Sequence, residues 1–225
     1  MNINDFKIMC IHLIGTEVSN ERFKYTNQSF KNMGILNFVD YYKCVRSLHD
    51  DHMIEIYKTL RNGYYDSLYL TNKNVYGNVY NELRNYYYAI KKTYIEGYKY
   101  LMIFEDDIIY EKDNLYFNNM INNIPDDFDI CKLTCWGNYN LHYNLTNSNN
   151  WFSIYNDNIE PGYLLGGHCW CINRSTMELL INEIDYYPQV IDELFYVLYK
   201  KYNIKIYIPN YLFLDFNKQI KSNII

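Results

Sequence analysis

The segment Tyr98-Lys99-Tyr100-Leu101-Met102-Ile103-Phe104, followed at once by Glu105-Asp106-Asp107, gives the clearest structural signal in the chain. Its short apolar run is typical of a buried strand in an α/β sheet. The three acids then stand at the carboxyl end of that strand, where such sheets bind ligands. Because carboxylates buried without partners are costly, we interpret the triplet as a binding site, with a solvated turn as the alternative.

Short apolar runs alternate with helical periodicity along the chain, which predicts an α/β fold with a central, mostly parallel sheet flanked by helices. We expect strands over residues 7–14, 35–39, 98–104, 129–134, 168–172 and 204–208. We expect helices from Ser19 or Asn20 to Met33, and over residues 50–60, 79–96, 113–124, 175–184 and 190–202. Gly34 and Gly97 would end two of these helices. The polar stretch 136–158 predicts a long loop or an irregular hairpin.

The composition limits the classes of protein. A length of 225 residues suits one domain, over residues 1–225, and the net charge of −5 argues against a nucleic-acid partner. No apolar run approaches the roughly 20 residues of a membrane span, and we expect no signal peptide, because the first residues lack a basic segment followed by a long apolar stretch. We therefore expect no transmembrane segment and a cytoplasmic location, in the host cytoplasm if the protein is viral.

Two residue types are used in an unusual way. Tyrosine occurs 28 times and Ala89 is the sole alanine, a bias that we attribute to an AT-rich genome such as that of a virus, protist or bacterium. The tyrosines are therefore weak evidence for sugar stacking. The six cysteines fit no common zinc finger, and we expect buried free thiols.

The acidic triplet has a specific chemistry. Alternation along a strand places Glu105 and Asp107 on one side and Asp106 on the other, so that the first pair can converge on a cation. Carboxylate oxygens suit Mg²⁺ or Mn²⁺, and a diphosphate can complete the coordination. The metal would offset the charge that grows on a departing nucleotide. This predicts the transfer of a group attached through a diphosphate.

Several segments, in chain order, resemble blocks of glycosyltransferase family 25. They are Ile8-Met9-Cys10-Ile11-His12-Leu13 with Glu21-Arg22-Phe23, Leu101-Met102-Ile103-Phe104-Glu105-Asp106-Asp107, Asp129-Ile130-Cys131-Lys132-Leu133, Gly166-Gly167-His168-Cys169-Trp170-Cys171-Ile172-Asn173-Arg174, Tyr187-Pro188-Gln189-Val190-Ile191-Asp192 and Gln219-Ile220-Lys221-Ser222-Asn223-Ile224. The family includes lipopolysaccharide-modifying galactosyl- and glucosyltransferases and collagen galactosyltransferases. The resemblance implies a GT-A fold, a UDP-sugar donor, a glycan or glycosylated acceptor, and inversion. The chain departs from the family at Glu82, where the family has His, and at His12, where it has Asn.

The resemblance and the residues together suggest roles. For the metal we favour Asp107, then Glu105; His168, after two glycines, would be a third ligand, a sugar contact or a structural histidine. The family position favours Asp192 as the catalytic base, with a helix cap as the alternative. Asp106 would contact the ribose or support its neighbours. Further candidates are Leu13, Gly15, Arg22, Gly166 and Gly167 for the nucleotide sugar, Trp136 and Glu82 for the acceptor, and Lys132 for phosphate, with a lysine that points to solvent as its alternative.

Two rival functions stay open. A nucleotidyltransferase uses a similar acidic site, but it usually carries a glycine-rich, basic loop after the first strand, where this chain has Gly15 alone. A catalytically inactive sugar-binding or scaffold protein is the other rival, since a fold never proves activity. Acids paired with protein groups in a closed cleft would favour the inactive protein, and convergent carboxylates in an open cleft would favour the enzyme.

Overall fold

The computed structural model describes residues 1–14, 17–45, 73–133, 143–145, 151–154, 168–184, 191–209 and 215–216. The strands are β1 Phe6–Ile14, β2 Val39–Val45, β3 Tyr100–Glu105, β4 Ile108–Ile109, β5 Ile130–Lys132, β6 Tyr143–Leu145, β7 Trp151–Ile154, β8 Cys169–Asn173, β9 Ile206–Pro209 and β10 Asp215–Phe216. The helices are α1 Glu17–Met33, α2 Lys73–Ile95, α3 Asn114–Asn122, α4 Arg174–Glu183 and α5 Ile191–Tyr202, with short 3₁₀ turns at Ile3–Asp5 and Leu36–Phe38. None of the helices in these ranges is long and apolar enough to cross a membrane.

The main sheet has eight strands in the order β2-β1-β3-β8-β5-β9-β7-β6, and β4 pairs separately with β10. β1 runs parallel to both β2 and β3, whereas β8 runs antiparallel to both of its neighbours, β3 and β5. β7 is the other strand that runs against the majority. The prediction of an α/β fold with a central, mostly parallel sheet flanked by helices is confirmed.

Two hydrophobic cores cover the two faces of this sheet. On one face, Phe30 and Met33 of α1 and Phe117 of α3 pack against alternate residues of β1 and β3. On the other face, α2, α4 and α5 pack against the intervening strand residues, among them Ile103 and Trp170. Strand alternation explains this division, since a strand buried on both faces must be apolar at every position.

The chain order favours a ligand-binding crevice at the carboxyl ends of β1 and β3. From β1 the chain passes through α1 to β2 on one side of β1, and later reaches β3 on the other side through α2. Between β1 and β3 the connections therefore leave in opposite directions, which is the position where open α/β sheets bind ligands. Glu105 closes β3 at this edge.

Several predicted boundaries were wrong for local reasons. The second strand begins at Val39, not at residue 35, because Gly34 (φ 75°) is followed by a 3₁₀ turn with Leu36 and Phe38 exposed. α1 begins at Glu17, so Ser19 and Asn20 lie inside it and do not precede it. α2 begins at Lys73, before the predicted residue 79, and its Gly77 does not break it.

Other predicted segments agree with the structure or fall outside it. Within 136–158, β6 and β7 pair antiparallel, so the hairpin alternative is correct there. Gly97 has a φ of 82° after α2, the left-handed conformation expected of a helix-ending glycine. The predicted helix at 50–60 lies outside the described residues.

The cysteines form no metal site in the part of the chain that is described. Cys10, Cys131, Cys169 and Cys171 form no disulfide and are fully buried, as expected for core thiols. Burial raises the pKa of the Cys131 and Cys169 thiols well above the usual value, so these groups are poor metal ligands and poor nucleophiles.

Candidate metal centre

The backbone brings Glu105 and His168 together. β8 runs antiparallel to β3, so the residue that precedes β8 meets the residue that ends β3. The Glu105 amide donates a hydrogen bond to the His168 carbonyl oxygen at 2.8 Å. Their spacing is therefore fixed by strand pairing.

The three acids divide between the two faces of the sheet as alternation requires. Glu105 accepts a hydrogen bond from the Tyr86 hydroxyl of α2 at 2.5 Å. Asp106 lies on the α1 side, where its Oδ2 is 2.8 Å from Nδ1 of His12. Asp107 reaches both sides, because it contacts His168 and also Arg22 of α1. Glu105 and Asp107 do share His168, but Asp107 also shares Arg22 with Asp106, so the predicted separation is incomplete.

Glu105, Asp107 and His168 form a candidate metal site. One ligand atom from each lies within 4.8 Å of the other two. His168 Nδ1 is 2.9 Å from Glu105 Oε2 and 3.0 Å from Asp107 Oδ1. These are the three side chains that the sequence proposed as metal ligands, and the structure places them close together.

Arg22 adds a positive charge beside the acids. Its side chain is 11% exposed, its Nη2 pairs with Asp107, and its Nε is 3.3 Å from Asp106 Oδ1. Asp106, 4% exposed, is thus held by both Arg22 and His12. The sequence left two roles for Asp106, and burial with two partners favours support of its neighbours over contact with a ribose.

The charges of this cluster shift its titrations. Burial alone would lower the pKa of His168, but the charges and hydrogen bonds of Glu105 and Asp107 outweigh it and raise that pKa to about 11. Burial would raise the pKa of Asp107, but His168 and Arg22 outweigh it and lower that pKa. The imidazole is therefore protonated at neutral pH, and a metal ion must displace a proton to use its Nδ1 atom.

A buried ion pair lies at the carboxyl end of β5, two strands away from β3. Lys132 of β5 has no exposed side-chain surface, and its Nζ is 3.2 Å from Oδ1 of Asp192. The sequence left open whether Lys132 points to solvent, and the structure buries it. Asp192 lies inside the first turn of α5, after the position of a helix cap. Its side chain pairs with Lys132, an interaction that a helix cap would not require.

Several predicted site residues lie outside the described part of the chain. Gly15, Trp136, Gly166 and Gly167 are not described. Leu13 and Glu82 are described in backbone only, as residues of β1 and α2.

Sequence reasoning missed two contributors to the cluster, Tyr86 and His12. Tyr86 lies within the predicted helix over residues 79–96 but was given no functional role, and His12 was noted only as a departure from the family pattern. A polar residue inside each apolar pattern was the available signal. For Tyr86 that signal was hidden by the 28 tyrosines of the chain.

Comparisons with known proteins add little to this geometry. No protein-family model matches the chain, and no curated protein matches it. Among solved structures, the chain is similar to A197 from STIV, with a TM-score of 0.41 and 11% identity over 90% of this chain and 81% of that one. It is also similar to a glycosyltransferase involved in the glycosylation of the major capsid of PBCV-1, with a TM-score of 0.37 and 10% identity over 87% of this chain and 66% of that one. Similarities this distant do not show a family or a function for this chain, and membership of family 25 stays a prediction.

Proposed function

We propose that this protein is a metal-dependent glycosyltransferase of the GT-A type. It would transfer a hexose, of galactose or glucose type, from a UDP-sugar to a glycan or glycosylated acceptor with inversion. The observation that supports this most is the convergence of Glu105, Asp107 and His168 where β3 ends and β8 begins. The donor and the inversion rest on the family resemblance.

The donor set fits a divalent cation. Two carboxylates and one imidazole suit Mn²⁺ better than Mg²⁺, since Mg²⁺ prefers oxygen ligands alone. Mn²⁺ is therefore our first choice and Mg²⁺ the second. When bound, the ion would offset the negative charge on the departing diphosphate. Arg22, already beside Asp107, would add a second positive charge for the same phosphates.

The acceptor side needs a base. We assign this role to Asp192, which would accept the proton of the acceptor hydroxyl as that oxygen bonds to the anomeric carbon. The bond from the anomeric carbon to the diphosphate oxygen breaks in the same step, and the diphosphate leaves with the electron pair. One displacement of this kind inverts the anomeric carbon.

The remaining predicted contacts stay proposals. Leu13, Gly15, Gly166 and Gly167 would contact the nucleotide sugar, because they flank the ends of β1 and β8 in the sequence. Trp136 and Glu82 would contact the acceptor.

One observation favours a second candidate, a catalytically inactive sugar-binding protein. The three acids are already paired with Arg22, His12 and His168, as a protein that binds no metal would need. The convergence of the three candidate ligands favours the enzyme, whereas the pairing of the acids with protein cations favours the binding protein. A measurement of metal-dependent turnover separates the two.

The test is a panel of UDP-, GDP- and CMP-sugars with and without Mn²⁺, read by thermal shift and by donor hydrolysis. We expect one UDP-sugar to stabilise the wild type and to turn over only with the metal, and Asp107→Ala to lose both responses. Asp127→Ala is the matched control, because Asp127 pairs with Lys205 and Tyr207 away from the cluster. Sugar binding without turnover would favour the inactive protein, and no metal-dependent response to any donor would refute the UDP-sugar proposal.

A further inference from the structure

Lys132 is an unusual residue for a hydrophobic core. Lysine is almost never fully buried unless it is paired, and this side chain has no exposed surface. Its Nζ is 3.2 Å from Oδ1 of Asp192 and 5.7 Å from the ring centroid of Phe195, and both partners belong to α5.

Strand register places this ion pair on the same face of the sheet as the candidate metal site. Lys132 is opposite Trp170, and Trp170 is opposite Ile103, so the three side chains share a face. Glu105 and His168, each two residues from a member of that row, project to the same face. Two strand spacings, about 10 Å, separate β3 from β5.

A continuous set of contacts joins the two sites. The Tyr86 hydroxyl contacts Glu105, and the Tyr86 ring packs on Trp170 with centroids 5.5 Å apart. Trp170 meets Phe195 edge to face at 5.0 Å, and Phe195 lies under Lys132. The candidate metal site and the Lys132–Asp192 pair are therefore linked by one row of packed aromatic residues.

The stability of the fold is a weak explanation for the presence of a buried ion pair at this position. Replacing a buried ion pair with apolar residues of similar volume is often neutral or stabilising, and the neighbours Trp170 and Phe195 are already apolar. A lysine ammonium does, however, fix a carboxylate by a strong, charged hydrogen bond.

We propose that Lys132 is the positioning residue for Asp192 in the proposed transfer, so this inference rests on the proposed function. Lys132 holds the Asp192 carboxylate by its Oδ1 atom and sets its orientation toward the acceptor hydroxyl. Asp192 takes the hydroxyl proton as the new glycosidic bond forms, and the diphosphate leaves with the electrons of the old one. Lys132 itself gains and loses nothing in the step.

The test is a double-mutant cycle on kcat and on KM for the donor. Asp192→Asn should lower kcat by about 10²- to 10⁴-fold, the usual contribution of a general base. Lys132→Met should lower kcat by about tenfold or more and leave donor KM unchanged, because only the orientation of the base is lost. In the Asp192→Asn background, Lys132→Met should cause no further loss, because residues that act as a unit are not additive. Lys201→Met is the matched control: this lysine pairs with Glu183, and its loss should leave kcat unchanged.

Each other outcome has one meaning. A raised donor KM in Lys132→Met, or an additive loss in the double variant, would show that Lys132 acts on the donor or on its own, and would overturn the proposal. If Lys132→Met fails to fold, the comparison of Asp192→Asn with the double variant still decides, since the double variant leaves no unpaired charge of this pair. A wild type that transfers no sugar would refute the proposed function and this inference together, whereas an active wild type with additive losses would refute only the role of Lys132.

Discussion

Two regions of the molecule use the same three chemical groups, a glutamate, a tyrosine hydroxyl and a cationic side chain. At the end of β3, Glu105 is joined by Tyr86 and His168. Between α4 and α5, Glu183 is joined by Tyr202 and by Lys201, whose Nζ is 2.9 Å from both carboxylate oxygens.

The difference lies in the balance of charge. Lys201 donates to both carboxylate oxygens of Glu183, so one positive charge balances one negative charge. His168 divides its contacts between Glu105 and Asp107, and Asp106 adds a third carboxylate to the same cluster. The same groups therefore stabilise the fold where the charges balance, and offer a cation site where carboxylates are in excess.

The largest expected difference between the two regions is in turnover. Glu105→Gln should abolish metal-dependent donor turnover, because it removes one of three converging ligands. Glu183→Gln makes the same chemical change and should leave turnover unchanged. Steady-state kinetics with Mn²⁺ check this, and equal losses in both variants would mean that the cluster at β3 has only a structural role.

The supporting tyrosines should differ next. Tyr86→Phe should weaken Mn²⁺ binding by about 10- to 100-fold, the usual cost of removing a group that orients a metal ligand. Tyr202→Phe should not change Mn²⁺ binding. Isothermal titration with Mn²⁺ alone measures both, without requiring a donor. An unchanged affinity in Tyr86→Phe would place Glu105 outside the metal site.

The pH dependence of stability should separate the regions again. The pKa of His168 is raised from 6.5 to about 11, so its contribution is fully present below pH 6.5 and is lost as the pH rises through about 11. In metal-free protein, we expect wild type to lose about 1.5–3 kcal/mol relative to His168→Gln between these limits. Urea unfolding in EDTA across this range checks the sign. A gap that widens as the pH rises would contradict the protonated imidazole.

The smallest effect is expected at Glu183. Tyr202 and Lys201 outweigh burial and lower the pKa of this carboxyl, so its contribution is present above the ordinary value of 4.5 and is lost as the pH falls through the lowered value. Glu183→Gln should destabilise the fold by about 1–2 kcal/mol at pH 7, a small figure for a buried carboxylate because Lys201 is 44% exposed. Thermal unfolding at pH 7 and at lower pH should show a difference that shrinks as the pH falls below 4.5. A difference that stays constant or grows as the pH falls would mean that the ion pair is not its cause.

Local signals in the sequence were sufficient for the fold class and for the candidate metal ligands. The apolar run before Glu105 identified the strand and the end that carries the acids, and alternation predicted that Glu105 and Asp107 lie together. Helix and strand boundaries were less accurate at residue 35, because a 3₁₀ turn and a strand start share the same apolar residues Ile35 and Leu36.

The partners of the acids were beyond sequence reasoning. Tyr86 meets Glu105 only because α2 docks on one face of the sheet, and Arg22 meets Asp106 and Asp107 only because α1 docks on the other. Contacts of this kind depend on how helices pack over long sequence separations, which periodicity does not encode. Lys132 shows the same limit, since α5 packs over a residue that could have faced water.

The reversed direction of β8 has a consequence for how this protein can evolve. Because the His168 carbonyl and the Glu105 amide bond to each other, the distance between these two ligand positions is a property of main-chain pairing. Substitutions in the surrounding helices that leave the contacts of the cluster intact can therefore accumulate while that spacing stays constant. Selection at these two positions acts on the side chains, since the main chain already sets the spacing.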